Sequence, residues 1–187
     1  PHHSIEPWGY SLSNFLDYAD TFLRLARKYE GRLRFAFKPH PILKTKLYAP
    51  ESWGRERTDQ YYREWADMPH AELAEGAYVD LFCRSSALVH DCSAFTVEYQ
   101  IVGRPALFMR KNGRLPYGLN RAAQEAFALH DMADSAEDID SFLQKIAERR
   151  PDPVADRRRV FIRDYLLPPR GATASEVIID TLLTSRS

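Results

Sequence analysis

The order of apolar segments in this chain predicts an α/β fold, a parallel sheet flanked by helices and followed by a helical tail. Three features carry that reading. Stretches with apolar residues at helical spacing alternate with short aliphatic or aromatic runs. Residues 87–109 read as strand, polar turn, helix and strand, which is a βαβ unit. The two clearest strand candidates end abruptly, one in prolines and one in a polar turn, as strands do where they feed loops at one edge of a parallel sheet.

Taken in order, residues 13–29 place Phe15, Leu16, Ala19, Phe22, Leu23 and Ala26 on one helical face, with Ser13 or Asn14 as the cap. After Gly31, Leu33-Arg34-Phe35-Ala36-Phe37 forms a strand that Lys38-Pro39-His40-Pro41 ends, because two prolines forbid further ladder pairing. Residues 58–68 read as a helix with exposed-type aromatics at Tyr61, Tyr62 and Trp65, and residues 78–82 as a short helix. Ala87-Leu88-Val89 is a short buried strand, His90-Asp91-Cys92-Ser93 a turn, and 94–102 a helix that Gly103 stops. Residues 105–109 supply the next strand. Helices at 119–127, 136–149, 154–166 and 174–183 then make the last third mostly helical.

With 187 residues and no internal repeat, 1–187 reads as one continuous domain or a large piece of a bigger protein, and Pro1 in place of Met favours a fragment. The 26 basic and 26 acidic residues balance, which gives no global field for nucleic acid or an anionic membrane, so anion binding must be local. Cys83 and Cys92 are too few for a disulfide framework and lack zinc-site spacing, which favours a reducing, cytoplasmic setting. No apolar run approaches the roughly 20 residues of a membrane span.

Two motifs fall at strand ends. In Lys38-Pro39-His40-Pro41 the fixed proline dihedrals hold the imidazole while Lys38 adds positive charge, an arrangement suited to a diphosphate. In His90-Asp91-Cys92-Ser93, followed by Glu98, a strand turns into a helix whose start favours an anion, with Ser93 offering a hydroxyl and Glu98 accepting from sugar hydroxyls. The competing readings are a strand stop and ordinary helix capping. Pro1-His2-His3-Ser4 is a third candidate for lining a cleft, with too few ligands nearby for a metal and chain-end disorder as its alternative. Arg157, Arg158 and Arg159 read as a solvated helix face. Trp53, Tyr61, Tyr62 and Trp65 read as a packed lobe rather than a base-stacking platform, and as the place to look for an acceptor groove.

Phe37-Lys38-Pro39-His40-Pro41 resembles the basic-x-His-Pro motif of the CDP-glycerol:poly(glycerophosphate) glycerophosphotransferases, which act in teichoic-acid and capsular polymer synthesis. The stretch 85–95 is similar to the second motif of that family, a small-residue strand followed by Asp91 and Ser93 at a helix start, and 174–178 to its closing helix. Residues 91–110 also resemble the nucleotide-diphosphate segment of UDP-N-acetylglucosamine 2-epimerases, with Asp91, Glu98, Gly103 and Pro105 in matching places.

The resemblance implies the C-terminal, Rossmann-like half of a GT-B fold, facing an N-terminal domain that supplies a further histidine. It makes His40 catalytic or pyrophosphate-contacting, Ser93 a phosphate ligand and Glu98 a ligand of donor hydroxyls; Lys38, Asp91 and His3 are expected beside them as further substrate-binding residues. The implied partners are a nucleotide-activated donor and a polyol-phosphate or polysaccharide acceptor, with no cofactor and no metal, at the inner face of a bacterial membrane. His90 and Cys92 depart from the family pattern, and His2-His3 stands at a position that varies between subfamilies. A UDP-sugar transferase or epimerase, and a non-catalytic scaffold, are the alternatives.

Overall fold

The computed structural model describes residues 1–6, 12–168 and 171–184. It is an α/β structure with two small parallel sheets flanked by helices. Helix α1 (Phe15–Lys28) leads to strand β1 (Phe35–Phe37), helices α2 (Leu43–Leu47) and α3 (Gly54–Asp67), and strand β2 (Ala71–Leu73). Helix α4 (Val79–Arg84), strand β3 (Leu88–His90) and helix α5 (Ser93–Glu98) follow, and α5 runs into a 3₁₀ turn at Tyr99–Val102. Strand β4 (Ala106–Met109), helix α6 (Arg121–Phe127), strand β5 (Asp131–Ala133) and helices α7 (Ala136–Ala147), α8 (Ala155–Phe161) and α9 (Ala174–Thr184) complete the order, with a π turn, Ile162–Leu166, after α8.

Strands β1 and β2 pair in parallel with Phe35 opposite Ala71. The second sheet has the order β3-β4-β5, also parallel. Its middle strand is buried at all four positions, Ala106 to Met109, as expected of a strand covered on both faces. Helix α1 ties the sheets together. Ala19, Leu23 and Ala26 join a cluster with Phe37, Leu43, Tyr61, Tyr62 and Trp65, while Leu25 and Tyr29 join a second cluster with Leu107, Met109, Ile139 and Phe142. Phe35 of β1 packs against both clusters.

The termini of the elements follow local chemistry. Ser135 and Asp138 form a capping box at α7, and Asn120 caps α6 through the Ala123 N–H. Gly103, at φ 71°, closes the turn after α5 where an L side chain is disfavoured.

Several sequence expectations need correction. Tyr61, Tyr62 and Trp65 are not exposed-type aromatics: they are buried, each in ring contact with Phe37, which bears out the packed-lobe reading and leaves these rings lining no acceptor groove. Arg158 is not solvated. It is 1% exposed, and its guanidinium donates to Gln100 Oε1 at 2.5 Å, to the Leu129 carbonyl at 3.0 Å and to Asp152 at 3.0 Å. Strands β2 and β5 and helix α2 were not expected; β5 lies inside the last third, which is otherwise mostly helical as the spacing predicts. Among the described residues, no helix is long and apolar enough to cross a membrane.

Candidate functional site

Loops at the carboxyl ends of β1 and β3 meet the N-terminal segment, and the site grows from that junction. Beyond β1, Pro39 is buried and His40 half-buried, and the chain turns through a hydrogen bond from the Leu43 N–H to the His40 carbonyl. The Ile42 N–H donates to His40 Nδ1 at 3.2 Å, which fixes the ring. Lys38 beside it is half-buried, and burial lowers its pKa against the opposing pull of Glu75.

Beyond β3, His90 is 4% exposed and its Nδ1 donates to the Cys92 carbonyl at 2.9 Å, which shapes the turn into α5. Asp91, also 4% exposed, receives the His2 N–H at 2.6 Å on one oxygen. Its other oxygen accepts the Asn14 N–H at 2.8 Å and the Ser13 hydroxyl at 3.4 Å. A buried carboxylate is thereby met by three donors, and its charge faces the start of α1, where a negative group is favoured. Asn14 holds the N-cap position of α1 without capping it through its own side chain, because its Nδ2 donates to the Met109 carbonyl at 2.9 Å. That bond brings the end of β4 to the same junction.

The segment 1–6 spans the two strand ends. His2 and His3 stack with ring centroids 4.6 Å apart, and His3 meets His40 at 4.3 Å. Lys46 of α2 reaches His3 Nδ1 at 3.3 Å and pairs with Glu6 at 2.5 Å. Burial is the main cause of lowered pKa values at His2 and His40, and His3 adds to both. The result is an imidazole-rich surface with Lys38 and Lys46 at its margins.

No family model, curated protein or solved structure matches this chain.

The expected site residues divide into two groups. His40, His3 and Asp91 are joined in one contact network, with Lys38 two positions before His40 at the same strand end. Asp91 is committed to protein donors on both oxygens, so it builds the site rather than presenting a free carboxylate. Ser93 is the first residue of α5, exposed, and its hydroxyl makes no hydrogen bond among the described residues. Cys92 holds the N-cap position there and neither Asp91 nor Ser93 caps the helix. Glu98 lies at the far end of α5, where it accepts a hydrogen bond from Tyr78 at 2.7 Å.

Lys46 is the addition that the sequence did not point to, and His2, expected only as part of the candidate stretch 1–4, supplies the link from His3 to Asp91. Among the described residues no cluster of three or more His, Cys, Asp or Glu side chains is arranged to hold a metal. Two surface depressions, one beside Arg27 and Arg63 and one beside Phe161 and Tyr165, share no residue with this junction.

Proposed function

We propose that this chain carries the donor site of a transferase that moves phosphoglycerol from CDP-glycerol to a polymer acceptor in teichoic-acid or capsular polymer synthesis, at the cytoplasmic face of the membrane. The observation that supports it most is the joining of His40, after β1, to Asp91, after β3, through His2 and His3. Ligands of parallel α/β sheets gather at the carboxyl ends of strands, and this is where the imidazoles lie. The two motifs that resemble the glycerophosphotransferase family occupy those same ends.

In the proposed reaction an acceptor hydroxyl oxygen attacks the phosphorus bearing glycerol. The new P–O bond forms as the bond to the CMP phosphate breaks, and that bond's electron pair leaves on CMP. The acceptor's proton passes to a base that the resemblance assigns to a facing domain. His40, His3 and Lys38 stabilise the charge growing on the leaving phosphate, and the exposed Ser93 hydroxyl adds a further donor. Glu98 serves the donor's hydroxyls only if its bond to Tyr78 opens.

Calorimetric titration with CDP-glycerol, CMP, UDP and UDP-N-acetylglucosamine tests the reading. Preferential binding of the cytidine compounds is expected, and a clear preference for uridine compounds would replace phosphoglycerol transfer with UDP-sugar chemistry.

A further inference from the structure

The connection from β4 to α6 differs from its neighbours at the carboxyl edge of the second sheet. It runs over residues 110–120, eleven residues, whereas β3 reaches α5 through Asp91 and Cys92 alone and β5 reaches α7 through Asp134 and Ser135. Connections of this kind ordinarily take about 2–6 residues, and binding residues concentrate on loops that a rigid scaffold positions.

Both ends of this loop are fastened. At its base the Asn14 side chain donates to the Met109 carbonyl at 2.9 Å, Arg110 pairs with Asp134, and Lys111 pairs with Asp17 of α1 at 2.6 Å. Asn14 is also the residue whose N–H reaches Asp91, so the loop base and the histidine junction share one anchor. Lys111 and Arg114 then pair across a tight turn in which Asn112 and Gly113 have φ of 52° and 68°, the positive values that a two-residue hairpin turn calls for. At the far end Gln124 donates to the Leu119 carbonyl at 2.9 Å, and Asn120 caps α6.

Between these fastenings residues 115–118 make no hydrogen bond among the described residues. Tyr117 is 72% exposed, more than any other large apolar or aromatic side chain described. A Cβ placed on Gly113 or Gly118 would meet nothing within 4 Å, so the loop around the ring is uncrowded. A single exposed apolar side chain is ordinary on a protein surface. Here its position, on a fastened loop at the edge where ligands of parallel sheets gather, gives it a use.

We propose that Tyr117 is the stacking platform for the nucleobase of the donor, carried on the β4–α6 loop. This rests on the donor-site reading above and adds the residue that holds the base. Strand β4 is the neighbour of β3 in the sheet, about 4.8 Å from it, a shorter span than that from the phosphates of a nucleotide to its base. The phenol ring matches the flat face of a base, and such stacking is indifferent to which base is presented. Arg114, exposed on the same loop, has no ion pair among the described residues, which suits a ring that arrives with phosphate attached. Because the loop is already held at both ends, little ordering is lost when the ring is engaged.

Calorimetric titration of CMP, UMP, CDP-glycerol and inorganic pyrophosphate into the wild-type protein, Tyr117→Ala and Tyr117→Phe tests the assignment, together with ¹H NMR of the base protons of the bound nucleotide. Tyr117→Ala should weaken each nucleotide that the wild type binds by about tenfold and leave pyrophosphate, which has no base, unchanged. Tyr117→Phe should keep the nucleotide affinity, since stacking needs the ring and not the hydroxyl. On the wild type the base protons should move upfield through the ring current of Tyr117. Equal nucleotide affinity in the wild type and Tyr117→Ala, a matching loss for pyrophosphate, or base protons that do not move upfield overturns the proposal, and the wild-type spectrum decides it even if a variant fails to fold. CDP-glycerol binding that Tyr117→Ala leaves unchanged would sink this inference and leave the donor reading intact. A preference for uridine nucleotides that still depends on Tyr117 would do the reverse.

Discussion

Asp91 holds its place through three donors from two other parts of the chain, so its removal should be felt in stability before it is felt in any chemistry. Asp91→Ala leaves buried N–H groups without an acceptor and should cost about 3 kcal/mol, read from urea unfolding; Asp91→Asn, which keeps the shape and one acceptor, should cost less. Arg158 presents the same logic in a different region. Arg158→Met strands Asp152, Gln100 and the Leu129 carbonyl, and a loss of about 3–5 kcal/mol is expected in the same assay.

His130, on the far side of His90, is held down to a pKa of about 4, chiefly by burial. Its folded pKa lies below the unfolded value, so the unfolded chain binds more protons between the two, and stability is full above about pH 6.5 and falls as pH drops toward about 4. His130→Gln should flatten that slope by up to about 3 kcal/mol, measured as unfolding free energy against pH. These roles were partly legible. The period that places Val154, Arg158 and Phe161 on one face of α8 could have marked Arg158 as inward, but nothing in the sequence names Gln100 or Leu129 as its partners.

At the scale of elements, the helices were the readable part, because their apolar stripes persist over several turns and end in recognisable caps. Helix α1 and the stop at Gly103 fell where the spacing put them. Gly103→Ala should cost about 1 kcal/mol in thermal or urea unfolding, since an added Cβ meets nothing within 4 Å and only the backbone strain at φ 71° remains. Strands β2, Ala-Glu-Leu, and β5, Asp-Met-Ala, escaped notice because three residues without β-branching or aromatics carry no strand pattern of their own. Their existence depends on neighbours: β2 on Phe35 to Phe37 and β5 on Leu107 to Met109. Helix α2 is likewise one short piece held by the buried Leu43 and Leu47.

For the whole molecule, the sequence located the strand ends but not what bridges them. The proline-flanked His40, the turn at Asp91 and the paired His2 and His3 were visible as separate motifs; that the histidine pair would bridge the other two, with Lys46 beside His3, depends on contacts more than 30 residues apart along the chain and had no local trace. Core aromatics fix this arrangement from below, since Phe37 immediately precedes the site loop and packs on Tyr61, Tyr62 and Trp65. Titrating CDP-glycerol into the wild-type protein, His40→Ala and Ser93→Ala by calorimetry tests the central claim most directly. The account predicts measurable wild-type affinity that falls about tenfold or more in His40→Ala and by a smaller factor in Ser93→Ala. Equal affinity in all three proteins, or none in the wild type, would contradict a donor site at the ends of β1 and β3.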